Sequence, residues 1–570
     1  MVTARRLSLA APFVVAALVI ANAWSGLMPG VAFWDTGEFQ TVLPIMGTAH
    51  PTGYPTYVLL GFIGNILLTP IGEPAFRVTV LSLIAVAVAA AATVALIRRL
   101  TGSTIIGVAT GVGLATTPVV WLNATRADPH PIHLAFVALL ILVLVWWEQG
   151  RKDLRERDAG FAAGAVAGAM GARAAADDAQ ASALPVELTG ATAAAPTAAQ
   201  HRTVDRRLVL AAILFGLAAG NHSLTLLLIP PIGLYVLSVE PGIWRRPRFM
   251  FTCAAAVIVT VVLVFLELPV RGGLLPAPLI YGRPATWDGF WYIALAEQFR
   301  GSLGDPFANL GTKLDHLVTF ANLQFGVLAL AIPPAFIVAA KRAPRFTLLT
   351  GLALVITVLF NQAYANADIE RYYLGPVLWV WLWIGILAAE IAGAATVVVA
   401  ELVELAGSRS KPALARIGGP GLRTASMVAA VLVGIVVLLP TLGSLGPRRQ
   451  AADHSGDTSA QRWLDEALPA VAQGAVLVSW WSTSTPLWYA QKVEGLRPDI
   501  DIIDDRTMLD LDLGRAPDVI NRYLGTRPVY VIRLAGADTD ELTGQFDMTI
   551  VASGGNTAVW KVNGRLAAAR

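Results

Sequence analysis

Ionisable side chains are scarce in this chain, and those that interrupt its apolar stretches fall into four short groups. The first is Trp34-Asp35-Thr36-Gly37-Glu38-Phe39, followed by His50-Pro51-Thr52-Gly53-Tyr54-Pro55. The second holds Arg126, Asp128, His130 and His133, and the third is Asn221-His222-Ser223. The fourth is Asp368-Ile369-Glu370-Arg371-Tyr372-Tyr373. Such residues at membrane depth are costly and mark either a functional site or a packed polar network. A carboxylate can act as general base, taking the proton of an acceptor hydroxyl as it attacks an activated carbon. Guanidinium groups can bind a departing phosphate and stabilise the charge that grows on it. Transfer of a sugar from a lipid phosphate needs those parts. A secondary transporter or lipid flippase, whose buried carboxylates relay protons or bind cations, needs them too. The residues alone leave both open.

Each group also has a plainer reading. Asp35 and Glu38 are three apart and share one helix face, which is equally the spacing of a capping box with Asp35 at N-cap and Glu38 at N3. Arg126 and Arg371 suit snorkelling to headgroups. His130, His133 and His222 make a weak metal set, since H-x-x-H at the start of an interfacial helix is a poor zinc signature.

The elements that must position these groups are membrane helices. Only 14% of the 570 residues are charged, against 55% hydrophobic, and mean hydropathy is +0.62. Soluble globular proteins carry about a quarter charged residues. The composition therefore excludes an ordinary soluble enzyme, a disordered chain and a nucleic-acid reader. A disulfide scaffold is excluded as well, because Cys253 is alone.

With about 20 apolar residues needed per span, the sequence predicts eleven, near 8–28, 77–97, 103–121, 130–148, 207–221, 223–239, 249–269, 321–340, 346–363, 372–395 and 424–445. The stretch 54–70, with Tyr54, Pro55, Asn65 and Pro70, reads as a re-entrant or interfacial helix. Counting it as a span would move Arg98, Arg99 and the basic run 245–248 outside, against the positive-inside rule.

This topology puts the N-terminus in the cytoplasm and all four groups on the outer face. It predicts one extracytoplasmic cavity lined by carboxylates, His and Arg. The outside loops are 29–76 and 270–320, the latter aromatic-rich, and the Ala-rich stretch 149–206 is a cytoplasmic linker without packing period. Residues 207–446 hold the remaining spans. From 447 to 570 the pattern changes, with strands expected at 475–479, 500–503, 529–532, 549–552 and 557–562 and helix between them, a small extracytoplasmic α/β domain. The fold class is thus a polytopic α-helical membrane protein of about eleven spans with an α/β tail. Its Ala, Gly, Val and Arg bias points to a GC-rich bacterial genome and a plasma (inner) membrane.

The order of elements adds a resemblance. A first span, an acidic motif at its outer end, an interfacial helix, the His50-Pro-x-Gly-Tyr-Pro turn and a span entered by Arg77 and closed by Arg98 and Arg99 resemble the GT-C glycosyltransferases. More narrowly, residues 34–38, 50–55, 126–133, 220–223 and 368–373 resemble the multi-pass family labelled domain of unknown function 2723, whose animal members are O-mannosyltransferases. The likeness covers roughly residues 8–400, and the tail segment from Trp488-Tyr489 to Arg497-Pro498-Asp499 is similar too. Two departures stand out. Thr52 replaces a usual second proline, and Ala127-Asp128-Pro129-His130 stands where a Glu–Tyr pair is commoner.

The resemblance implies inverting transfer of a mannose-like sugar from a polyprenyl-phosphate donor to a protein or glycan hydroxyl. Residues 1–148 would be the GT-C-like core. Asp35 would be the catalytic base and Glu38 its partner or an acceptor-orienting group. Arg77 or Arg371 would hold the donor phosphate, His50 and Tyr54 would shape the donor site, and Arg126, Asp128, His130, His133, His222, Asp368 and Tyr372 would join them in substrate binding. No cofactor is expected. The first loop has Asp-x-x-Glu rather than Asp-x-Asp, so an obligatory divalent metal is not favoured either.

Overall fold

A computed structural model describes residues 2–177, 195–406, 420–533, 537–554 and 557–566. Among them, eight helices are long and apolar enough to cross a membrane. They are Ser8–Gly26, Pro74–Thr101, Pro129–Ala163, Pro247–Leu274, Leu310–Arg342, Pro344–Ala363, Ile369–Val398 and Arg423–Gly443. The chain is a polytopic helical membrane protein.

Three of the eleven expected spans differ from this set, each for a local reason. The 103–121 span is two helices, Thr104–Ala115 and Pro118–Ala124, bent by 68° where Pro118 cannot continue the helical ladder. The groups freed at the bend find side-chain partners. Arg448 Nη1 donates to the Thr116 carbonyl at 3.0 Å, Gln324 Oε1 accepts from the Val119 amide at 2.9 Å, and Trp381 Nε1 donates to Thr117 Oγ1 at 2.8 Å. The 207–221 span is the apolar half of Ala198–Asn221, whose first half carries Arg202, Asp205, Arg206 and Arg207. The 223–239 span is a short apolar helix, Ser223–Val239, and His222 lies at the break between the two.

The segment expected to lie in the interface is the 13-residue helix Pro55–Leu67, about 20 Å long at 1.5 Å per residue and too short to span. Leu60, Ile63, Ile66 and Leu67 form its exposed apolar side, the face a lipid-bound helix presents to acyl chains. The linker expectation is partly corrected. Pro129–Asp177 continues as one helix well past the membrane segment, and 178–194 lie outside the described residues.

The five expected strands are all present: β1 (Val476–Ser479), β2 (Asp501–Asp504), β3 (Val529–Arg533), β4 (Phe546–Gly554) and β5 (Thr557–Arg565). They form one sheet in the order β2-β1-β3-β5-β4, with β1 parallel to β2 and β3, and β5 antiparallel to β3 and β4. Side chains alternate across a strand. Val476, Val478 and Val531 accordingly pack on one face with Val519 and Ile520, and Leu477, Tyr530 and Ile532 on the other with Trp463 and Leu464. That second core also takes in Val31 and Ala75 from the segment between the first two membrane helices. The Ala75 amide donates to Tyr489 Oη at 3.2 Å. The C-terminal domain is therefore seated on the loop that carries Asp35.

Candidate active site

The helix Trp34–Ile45 begins at Trp34, with Phe33 as its N-cap and no side-chain cap. The capping-box reading of Asp35 and Glu38 therefore fails, and both side chains are free for other bonds. Glu38 is 1% exposed. Its Oε1 accepts from the His50 amide at 2.7 Å, and its Oε2 lies 2.8 Å from His50 Nδ1. The opposite ring nitrogen, Nε2, lies 3.3 Å from Tyr54 Oη, and both His50 and Tyr54 line a cavity. Gly53, with φ of +76°, makes the turn that brings His50 and Tyr54 to the same side.

Asp35 is a quarter exposed to that cavity. Arg371 Nη2 donates to Asp35 Oδ2 at 2.6 Å, and Arg371 Nη1 to Asp128 Oδ2 at 3.1 Å. Arg126 Nη2 donates to Asp368 Oδ2 at 2.8 Å. Two guanidinium groups are thus held by carboxylates at the rim. The Nε atoms of Arg126 and Arg371 are both buried and without a hydrogen-bond partner. Burial acts to raise the carboxyl pKa of Asp35, but the charges of His50 and Arg371 outweigh it and hold Asp35 below its ordinary value. Burial acts to depress His50, but the Glu38 carboxylate outweighs it and the imidazole pKa stands above its ordinary value.

The cavity has a volume of about 990 Å³. Of the thirteen residues singled out from sequence, Asp35, His50, Tyr54, Arg126, His222, Asp368, Arg371 and Tyr372 line it. Glu38 stands behind His50. Asp128 lies under Arg371, where its Oδ1 accepts from His130 Nδ1 at 2.7 Å, so it supports the guanidinium instead of meeting a ligand. His130 and His133 lie deeper, against His222 at ring-centre distances of 4.6 and 5.7 Å. They border a separate small void with Arg371 and Tyr372, which corrects their expected place in the substrate site.

Arg77 is the clearest correction. Its Nε donates to the Gly72 carbonyl at 2.5 Å and its Nη1 reaches Asn65 at 3.4 Å, which ties it to the turn before its own helix and away from the cavity. Among the described residues, no group of three or more His, Cys, Asp or Glu side chains is arranged to hold a metal ion.

Sequence reasoning missed the cavity wall supplied by the C-terminal domain, namely Trp481, Asp505 and Arg506, with His454 at its neck. It also missed Tyr281, over whose ring Arg506 lies at 4.3 Å. No local pattern marks these residues, because their partners are hundreds of positions away. The aromatic richness of 270–320 was the one available hint.

Comparison with known proteins agrees with this architecture. Over 96% of this chain and 97% of the other, the structure superposes on ArnT from Cupriavidus metallidurans bound to undecaprenyl phosphate, with a TM-score of 0.55 and 14% sequence identity. The fold is that of the GT-C membrane glycosyltransferases. Residues 35–175 match the family model described as protein O-mannosyl-transferase TMEM260 N-terminal domain. The chain is 24% identical over 491 residues to the mouse (Mus musculus) protein O-mannosyl-transferase TMEM260, covering 83% of this chain and 59% of the mouse protein. It is 25% identical over 130 residues to the Dictyostelium discoideum protein of the same name, covering 23% and 16%. The chain thus spans about three fifths of the length of its mouse relative.

Proposed function

We propose that this protein is an inverting glycosyltransferase that moves a sugar, mannose by analogy with the named relatives, from a polyprenyl phosphate to a hydroxyl acceptor. The observation that carries the reading is the cavity itself, in which the Asp35 carboxylate, paired with Arg371 and a quarter exposed, faces a volume rimmed by Arg371, Arg126 and His50. In the proposed reaction the acceptor oxygen attacks the anomeric carbon and the carbon–oxygen bond to phosphate breaks. The bonding pair leaves with polyprenyl phosphate, and the acceptor proton passes to Asp35. A single displacement inverts the anomeric centre. Arg371 and Arg126, both of which line the cavity, supply guanidinium charge for the phosphate, and the His50 imidazolium adds Nε2–H. A low carboxyl pKa keeps Asp35 ionised and ready at neutral pH.

The polyprenyl donor is supported by the ligand of the structural neighbour and by the apolar, exposed interfacial helix beside the site. The membrane is proposed to be a bacterial plasma membrane, with the cavity and C-terminal domain outside. The chemistry assigned here uses no cofactor. A transporter reading gains nothing from the geometry, because the cavity's charged residues gather at one end of the bundle. The test is turnover of radiolabelled polyprenyl-phosphate mannose by purified wild type and Asp35→Asn. Transfer or slow donor hydrolysis by wild type alone supports the reading. Equal turnover by both removes Asp35 as the base, and no turnover of mannose or glucose donors by either removes the reaction.

A further inference from the structure

The Glu38–His50 pair is completed by a residue from the far end of the chain. Trp481 opens the helix Trp481–Trp488, just beyond β1. Its indole Nε1–H donates at 3.1 Å to Glu38 Oε2, the oxygen that also meets His50 Nδ1. The ring stands edge-on to His50 at 5.8 Å between centres and to Trp34 at 6.3 Å. The backbone amide of Trp481 is fixed in turn by Asp505 Oδ1 at 2.7 Å, from the residue after β2. The approach is too close for any side chain at Gly37. A Cβ there would lie 2.0 Å from the Ala32 carbonyl oxygen and 2.9 Å from Thr485 Oγ1. Thr41 Oγ1 donates to the Thr485 carbonyl at 3.3 Å across the same contact.

Glu38 thus accepts three hydrogen bonds, two from His50 and one from Trp481, and has almost no contact with solvent. A buried carboxylate bound this way has no freedom to choose its orientation, and the imidazole it holds inherits that orientation. We propose that Trp481 is a positioning residue for His50, acting through Glu38, so that the C-terminal domain is a working part of the catalytic site. The role given to His50 rests on the glycosyltransferase reading, while the positioning itself rests on the hydrogen bonds.

The indole donor also draws on the charge that Glu38 offers to His50. The charged groups facing His50 are Glu38, Asp35 and Arg371, with the Tyr54 hydroxyl at Nε2. Removing the indole N–H leaves the Glu38 charge wholly to the imidazolium, so His50 should hold its proton to higher pH. Hydrogen bonds to charged groups set the expected size, an upward move of about one pH unit.

The experiment is a histidine NMR titration of the full-length protein in detergent, with the His50 signal assigned through His50→Gln. Trp481→Phe keeps an aromatic ring and removes the donor. Benzothienylalanine placed at 481 keeps the full ring system without the N–H and serves if phenylalanine disturbs folding. The expected result is a raised His50 midpoint and an equal upward move of the alkaline limb of sugar transfer, with kcat changed more than KM. In a Glu38→Gln background the same substitution at 481 should move nothing. An unmoved midpoint in a folded donor-less variant overturns the proposal, as does an equal move in the Glu38→Gln background. If wild type transfers no sugar but the midpoint still rises, the reaction is wrong and the Trp481 assignment stands.

Discussion

Ion pairs tie helices together at both ends of the bundle, and the two ends differ in what they enclose. At the end away from the cavity, Arg246 meets Asp205 and Glu240, Arg151 meets Glu240 at 2.6 Å, and Glu148 takes Tyr235 Oη at 2.8 Å and Arg345 at 3.3 Å. Arg207 lies 4.1 Å over the Trp146 ring and donates to the Trp146 carbonyl at 2.8 Å. Those charges close on one another and on neighbouring backbone. At the other end the same residue types stand around a cavity of about 990 Å³. The lesson is that ion-pair density does not mark a site. Unpartnered atoms do not mark it either, since Arg151 Nε, Arg207 Nε and Glu240 Oε2 are left without hydrogen bonds at the closed end. What marks it is paired charge beside an open volume.

The largest effect should come from the group that faces that volume most directly. Asp35→Asn keeps shape and should lower transfer by about 10²–10⁴-fold, the range for a lost general base, with unchanged insertion and elution. Next comes Arg371→Gln. It removes the proposed phosphate-binding charge, leaves Asp35 without its ion-pair partner and leaves Asp128 to His130 and Arg126. Breaking a buried pair of this kind costs about 3–5 kcal/mol. Transfer and thermal stability should therefore fall together, read by turnover and by a melting curve on the same sample.

The third effect is on pH. His50 is raised, so the stabilisation it draws from Glu38 is complete below its ordinary value of 6.5 and is lost as pH rises through its higher folded value. Asp35 is lowered, so its contribution is present above 3.8 and is lost only as pH falls through a lower value. Activity and stability should both decline on the alkaline side, above 6.5, and the acid limb should lie below 3.8.

The smallest effects test the other end and the proposal that no metal is required. Arg246→Gln should cost about 1 kcal/mol or less, because its guanidinium is a third exposed. Turnover per folded molecule should stay as in wild type. A loss of turnover as large as that of Arg371→Gln would erase the distinction between the two ends. Dialysis against EDTA should leave transfer unchanged, measured against a zinc-restored control.

Much of this was legible in sequence because membrane helices and short buried strands write strong local patterns. The apolar runs gave the helices, and alternation bounded by turns gave all five strands to within a few residues. The candidate residues were visible because charge is rare in apolar surroundings. What stayed hidden depends on three-dimensional closure. Arg77 looked like a phosphate ligand by position, yet its side chain turns back to Gly72 and Asn65. Glu38 looked like a cap, but the helix ends at Met46, with φ of +51°, and the chain beyond it returns His50 to Glu38. Nothing near Trp481 announces a carboxylate 443 positions earlier. Of the two helices on either side of His222, Ala198–Asn221 is long enough for a span but charged through its first half, and Ser223–Val239 is short and opens with a 3-10 turn.

The bend between Ala115 and Pro118 also bears on the order of assembly. Its Thr116 carbonyl is satisfied by Arg448, a residue made more than three hundred positions later, and its Val119 amide by Gln324. During synthesis the first helices are in place long before those partners emerge, with a backbone acceptor and donor waiting in their midst. An unsatisfied backbone group out of water is expensive. The early half of the protein therefore stays unlocked until the segment just past the Arg423–Gly443 span arrives. The short helix Leu445–Ala451 acts as the key, and a chain truncated before residue 448 should remain recognisable to quality-control proteases as unfinished.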